Sequence, residues 1–426
     1  MANPAPAVLG LVTAIGCGTS SDNAVIAGAA SDHHCIVLPG SWSHATRSFA
    51  IRSGPVAGQL DHVSEVRRGV WHQRAAVHPD GGRIFVSASV TGGDPVTRGI
   101  YVYAYGFDTE SCAIGALLDS VTADTDTASI MRYYGLEMHP SGRYLYQTTE
   151  SVQEIRVYGV ADDGTLSLVQ ARDVTLNGTQ ACAQTRRLEL HSDGRTLYSN
   201  CNNSAAGDRV DSAVQAWRVE DDGRLEFLGH YTAPGMTGVF DPSVHPNGRW
   251  LYQPGSGGSP GTHYGNGAII LLYDIAADGQ LAYRSSMRVI DPDADSLAPM
   301  AELPFTSLPT TVLIHPDGTH AYVTLHDQIN VSHHVVQYRI DQDDGTLEPV
   351  STINTTTTGT GNHHGGVLAR RDGRTFLYTF INVFPGPEGF VEQFEITGGY
   401  GLRRLDPPVV AAGLVDARHP IAVARE

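Results

Sequence analysis

The sequence predicts an all-β chain in which one four-stranded antiparallel unit is repeated seven times, and three observations lead there. Six segments share a hairpin pattern: AVHPDGGRIFVSA, LEMHPSGRYLYQT, LELHSDGRTLYSN, SVHPNGRWLYQP, LIHPDGTHAYVT and LARRDGRTFLYT. In each, alternating apolar residues run into a Gly-containing turn and out into a second alternating run, the period-two signature of paired strands. A second hairpin follows, as in IRVYGVADDGTLSLV, VQAWRVEDDGRLEFL, IILLYDIAADGQLAYR and VVQYRIDQDDGTLEPV. Successive first turns, marked by His78, His139, His191, His245, His315 and Arg370, lie 61, 52, 54, 70 and 55 residues apart, so seven units nearly fill the 426 residues. A unit of that kind closes radially into a seven-bladed β-propeller, leaving only short sheet edges, whereas sandwiches do not repeat one unit seven times.

Taken in order, the strands of each blade are a to d from the axis outward. In blade 1, SFAIRSGPVAGQLDHV reads as the outer pair, and two segments compete for its strand a: NAVIAGAAS near the start and RHPIAVARE at the end. Blades 2 to 7 each begin at one of the six hairpins. YVYAYGFDTESCAIGALLDSV and FVEQFEITGGYGLRRL are looser versions of the outer pair in blades 2 and 7. Residues 1–426 therefore read as a single domain, with blade 1 shared between the chain ends.

Composition removes several function classes. The formal charge is −17 and no basic run occurs, which argues against nucleic acid and anionic membrane surfaces as partners. All 28 cationic residues are arginine; without lysine there is no Schiff base, no P-loop and no expected nucleotide cofactor. No stretch approaches the ~20 apolar residues of a membrane helix. MANPAPAVLGLVTAIGC lacks a cation before Cys17 and reads as a strand rather than a leader or lipid anchor, so a cytoplasmic location is expected. Five cysteines without CxxC spacing point to neither a disulfide scaffold nor a thiolate metal site.

The blade size, the HPDGR hairpin and the recurring Y-x-V/I…DDGTL pair resemble the lactonase family of seven-bladed β-propellers. That family includes bacterial 6-phosphogluconolactonases and fungal carboxy-cis,cis-muconate cyclases. Within YYGLEMHPSGRYLYQTTES, Glu150 falls on the family's glutamate, while Tyr134 and Gly135 fill its Arg-His positions. The resemblance implies a small, oxygen-rich lactone or carboxylate at the channel mouth and lactone-opening or lactone-closing chemistry. The Tyr-Gly departure argues against 6-phosphogluconolactone itself.

The seven copies also serve as their own control: a residue repeated in most blades is architectural, and a polar residue unique to one or two is a site candidate. His78, His139, His191, His245 and His315 recur in one turn and read as structural, as do His33, His34 and the acidic turns at Asp162, Asp222 and Asp344. Six residues before each turn, at the start of strand a, the ring reads His72, Tyr133, Thr185, Val239, Pro309 and His364. His419 joins this set if RHPIAVARE is strand a of blade 1. Four residues after the strand-b aromatic it reads Ser89, Glu150, Asn202, Ser256, His326 and Asn382.

The titratable members gather over one arc. One expectation is metal-free acid–base catalysis by His72, His364, His326 and Glu150, with Arg132 and Arg186 holding a substrate carboxylate and Trp71 and Tyr133 forming an apolar wall. A second is a metal enzyme in which His72, His364 and His419 hold one zinc, iron or copper ion. Carotenoid-cleaving oxygenases resemble the chain only in that arrangement of axial histidines. A third is a binding propeller without catalysis.

Overall fold

The computed structural model describes residues 32–40, 43–90, 99–123, 135–149, 153–174, 185, 187–201, 212–232, 236–257, 268–289, 307–327, 333–354, 363–382, 388–406, 408–412 and 421–424. They form seven antiparallel sheets. Six follow chain order from strand a to strand d, beginning at Trp71–Val77, Leu136–Met138, Leu188–Leu190, Met236–Val239 with Ser243–Val244, Ser307–Ile314 and His363–Arg371. In the seventh, His33–Gly40, Ala45–Ile51 and Leu60–Arg67 are strands b, c and d, and C-terminal Ile421–Ala424 supplies strand a. Ile421 pairs with Val37 and Val423 with Cys35, so the second of the two competing segments closes the ring. Among the described residues the one helical element is a short 3-10 turn, Gly54–Val56, and no helix is long and apolar enough to cross a membrane.

Alternation makes both faces of each blade apolar, and burial happens between blades. Among the described residues there are seven hydrophobic clusters, one for each blade–blade interface. Trp250 of blade 5, for example, packs with Val323 and Tyr338 of blade 6. Strands c and d of blades 1 to 6 each carry one or two bulges, as between Ala216 and Trp217, which add twist to the outer edge.

The turn histidines act as pegs from one blade to the next. Nε2 of His78, His139, His191 and His245 lies 3.1, 2.9, 3.1 and 2.8 Å from the carbonyl oxygen of Gly142, Gly194, Gly248 and Gly318 respectively. Each Nδ1 faces the backbone N–H two residues on in its own hairpin, at 3.1 to 3.3 Å, and at His78 and His191 it also faces a carboxylate oxygen, of Asp80 at 2.7 Å and Asp193 at 2.8 Å; Nε2, set against a carbonyl, donates across the interface. The receiving glycines have φ of 71° to 74°, and a Cβ there would press on the imidazole; at Gly248 it would sit 2.8 Å from His191 Nε2. Blade 7 has Arg370 in the histidine's place, and the roles reverse: its backbone N–H donates to His33 Nδ1 of blade 1 at 3.0 Å. A second series runs farther out. Tyr198, Tyr252 and Tyr378 donate their hydroxyls to the carbonyls of Gly279, Gly345 and Gly58 in the next blade's outer turn. The acidic residues of those outer turns cap the turn itself: Asp222 and Asp344 accept from the N–H two residues on.

The cysteines depart from expectation. Cys35 of strand 1b and Cys112, in the c–d turn of blade 2, form a disulfide with Cα atoms 5.5 Å apart. Cys201 is disulfide-bonded as well, to a partner outside the described residues. The two half-cystines of the first bond are 77 residues apart in sequence and meet only because blades 1 and 2 pack face to face, which cysteine spacing does not reveal. By chain entropy such a loop stabilises the fold by about 4 kcal/mol.

Gly248→Ala forces a left-handed backbone on alanine and displaces the His191 peg. We expect a loss of about 2 kcal/mol and a lower urea midpoint. Gly399→Ala, where an added Cβ meets nothing within 4 Å, is expected to change the midpoint little.

Candidate functional site

The a–b and c–d turns lie on one face of the ring, so strand a starts, and strand b ends, at the opposite face. His72 and His364 are second residues of strands 2a and 7a, and His326 is the penultimate residue of strand 6b, His320–Asp327; all three backbone positions share that opposite face. Of His326 and His364 only the register is described: His326 pairs with Leu308, and His364 sits in a register shift between His363 and Gly366. Glu150, Arg132, Tyr133, Arg186 and His419 lie outside the described residues.

His72 does not stand on the channel wall as alternation predicts. It is fully buried, with Nδ1 2.7 Å from Oγ1 of Thr46, a residue of strand 1c. Its imidazole therefore reaches into the interface of blades 1 and 2, beside the ring of Tyr103 at 6.3 Å. The cause is local: a register shift between His72 and Arg74 breaks alternation at the start of strand 2a. Burial first, then the charges of His44 and Arg68, pull its pKa down to about 3. His72 is neutral at pH 7, which suits a hydrogen-bonding or metal-ligating imidazole and not a group that cycles through its cation. Trp71, next to it, is half-buried and pairs with Ser89. Tyr103 is pushed up to about 12, chiefly by burial and then by Tyr105 and Tyr101. Arg68 stacks over Tyr103 and Tyr105 and donates from Nε to the Tyr105 hydroxyl at 3.0 Å.

A different set of side chains meets on the axis. Arg74 of strand 2a, Arg187 just before strand 4a and Asp241 in the inner segment of blade 5 are all buried. Arg187 Nε lies 2.5 Å from Asp241 Oδ1, and Arg74 Nη1 lies 3.3 Å from Asp241 Oδ2. Blades 2 and 5 are not neighbours, so their innermost side chains can touch only across the centre of the ring. Two further buried carboxylates sit on adjoining inner strands: Glu137 on 3a, and Glu189 on 4a, whose Oε1 accepts the Val244 N–H at 3.0 Å.

The sequence carries a signal for this cluster in the repeat itself. Four residues before each turn the ring reads Arg74, Gly135, Arg187, Asp241, Thr311 and Gly366. All three charged members of that series are the three that meet. The position six before the turn lies at or within the register shifts of strands 2a, 6a and 7a, so counting from the turn loses the face there. The cluster shows its chemistry in its own contacts: guanidinium groups from two blades grip the planar Asp241 carboxylate, one on each oxygen, in a buried setting. Among the described residues, no group of three or more His, Cys, Asp or Glu side chains is placed to hold a metal ion.

The buried histidines have a pH consequence. His72, held at about 3, and His33, lowered to about 4 mainly by burial, stay neutral in the fold while an unfolded histidine titrates near 6.5. Below pH 6.5 the unfolded chain binds more protons, so stability falls as pH falls from 6.5 towards 4, by about 1.4 kcal/mol per pH unit for each histidine. Above pH 6.5 both states are neutral and these residues add no slope. Urea midpoints between pH 4 and 8 are expected to show this, and His72→Asn to flatten it.

Residues 101–252 match the family model described as "Lactonase, 7-bladed beta-propeller". Solved structures share the fold at low identity. A putative 6-phosphogluconolactonase from Bacteroides uniformis ATCC 8492 is 13% identical with a TM-score of 0.64, covering 92% of this chain and 100% of that one. A periplasmic gluconolactonase of Pseudomonas aeruginosa is 16% identical with a TM-score of 0.62, covering 92% and 99%. A hypothetical selenium-binding protein from Sulfolobus tokodaii is 11% identical with a TM-score of 0.64, covering 93% and 94%, so the same fold carries unlike names. No curated protein matches the chain. The chain is a seven-bladed β-propeller that resembles the lactonase family, in sequence over residues 101–252 and in fold around the ring.

Proposed function

We propose that this protein is a lactonase-like enzyme, a hydrolase that opens a small oxygen-rich lactone bearing a carboxylate at the mouth of the central channel. The observation that carries this reading is the meeting of Arg74, Asp241 and Arg187 on the axis. The family match and the likeness to a putative 6-phosphogluconolactonase and a periplasmic gluconolactonase suggest the reaction class. In ring opening a water oxygen bonds to the acyl carbon, the acyl–oxygen ring bond breaks, and the departing oxygen takes a proton. The arginines would hold the substrate carboxylate or the developing oxyanion, where preorganised charge in a dry site is worth most. Proton transfer falls to Glu150, His364 or His326, and neutral His72 positions its neighbours. Cyclisation of the muconate-cyclase type is a different step, in which a carboxylate oxygen bonds to one carbon of a carbon–carbon double bond while the π bond breaks and the neighbouring carbon takes a proton; the arginines would again hold carboxylate, and the same acids would supply that proton.

The test is turnover of carboxylated five- and six-membered lactones and of the corresponding acids. Arg187→Lys keeps a cation but loses the fork and is expected to lower kcat/KM by about 100-fold, within the range for losing an oxyanion donor. Exposed Arg52→Ala, whose partner is Asp61 in the outer strands of blade 1, is the control expected to retain activity. Retained turnover in a folded Arg187→Lys protein would overturn the assignment, and no turnover on any substrate would favour a non-catalytic binding propeller.

A second reading rests on the ring closure. The alignment that matches His419 to His72 and His364 requires the C-terminal strand to be strand 1a, and it is. His72, which meets Thr46 through Nδ1, would join His364 and His419 in holding zinc, iron or copper, and the ion would then supply Lewis-acid or oxidative chemistry. Elemental analysis of the purified protein is expected to find a near-stoichiometric transition metal that is lost in His364→Ala; a metal-free protein with full turnover would sink this reading.

A further inference from the structure

We infer that the Cys35–Cys112 disulfide and the C-terminal strand form a two-part latch on the ring, each protecting the other, and that the protein completes this latch in an oxidising compartment. Cys35 lies on strand 1b directly opposite Val423 of strand 1a. Both cysteines belong to one core cluster with Ile421 and Val423 of the closing strand, with Cys35 0%, Cys112 1%, Val423 1% and Ile421 5% exposed. Strand 1a therefore covers the bond, and an attacking thiolate reaches its sulfur atoms only after that strand lifts.

Protection also runs the other way. Blade 1 is built from both parts of the chain, and until Ile421–Ala424 arrives it has three strands and an uncovered inner edge. Its tie to blade 7 is polar and partly exposed: Arg370 N–H to His33, Arg371 to His34 and Asp372 N–H to Asp32. The covalent bond to the c–d turn of blade 2 keeps the three-stranded sheet docked meanwhile. Both cysteines belong to blades synthesised before the last strand, so the bond can form first. Its formation joins two thiol sulfurs and releases two protons and two electrons, which reduce a protein or small-molecule disulfide to its two thiols. A reducing cytosol does not sustain that exchange, and the second disulfide, at Cys201, has the same requirement. On this proposal the compartment is an oxidising one rather than the cytoplasm expected from the N-terminal residues.

Alkylation without reduction, followed by peptide mapping of full-length protein recovered from an oxidising compartment, is expected to recover residues 35 and 112 linked. Recovery of both as alkylated thiols would overturn the proposal. In folded protein, dithiothreitol is expected to cleave the bond at least tenfold faster in Val423→Asp than in the unaltered chain. Should that variant fail to fold, Val423→Ala is read by the same alkylation, again expecting faster cleavage. Equal rates would overturn mutual protection. The Cys112→Ser, Val423→Ala double variant is expected to lose more of the urea midpoint than its two single variants combined, and simple additivity would show that the strand and the bond act independently.

Discussion

The protein depends on one repeated contact: an imidazole N–H of one blade meeting the carbonyl of a left-handed glycine in the next. Each blade is a sheet with two apolar faces and cannot stand alone in water; stacking around a ring buries both. Stacking hydrocarbon leaves the angle between blades loosely specified, and the peg specifies it. The distances of 2.8 to 3.1 Å at four successive interfaces hold the turns at one level. A glycine is needed twice over, for its positive φ and because any Cβ would occupy the imidazole's place. The tyrosine series farther out repeats the device at larger radius, so the interfaces of blade 4 with 5 and of blade 5 with 6 are each set at two points.

That angular constraint creates the axial site. Residues 74, 187 and 241 lie in three different blades and become neighbours only because their strands start at one height around a closed ring. Placing three charges on the axis is expensive: taking one partner from a buried pair typically costs 3–5 kcal/mol, and a hydrocarbon trio would pack as well. A buried charge cluster is therefore weak support for stability and stronger support for a task such as gripping an anionic ligand. His72 shows the complementary case. Placed between blades, it meets a threonine hydroxyl and loses its basicity to desolvation.

Closing the ring is the hardest step for a radially repeated fold, because the last strand must find the first sheet across the whole chain. Here the closing strand is short, Ile421–Ala424, and rests on a disulfide between the first two blades. The first and last described strands meet inside the blade 1 sheet, and the disulfide beside the closing strand ties that sheet to blade 2. Oxidation chemistry thus bears on the same place where the topology is weakest.

Sequence alone determined the repeat, the strand alternation, the turn glycines and the architectural role of the turn histidines, because those are local properties with a fixed period. Comparing blades also separated common residues from unique ones, and at four residues before the turn that comparison already contained Arg74, Arg187 and Asp241. Only the tertiary structure decided which terminal segment closes blade 1, that Cys35 meets Cys112, and that His72 turns into a blade interface while two arginines converge on Asp241. Those outcomes depend on which blades face each other and on single-residue register shifts at strand starts, and neither leaves a mark in composition or periodicity.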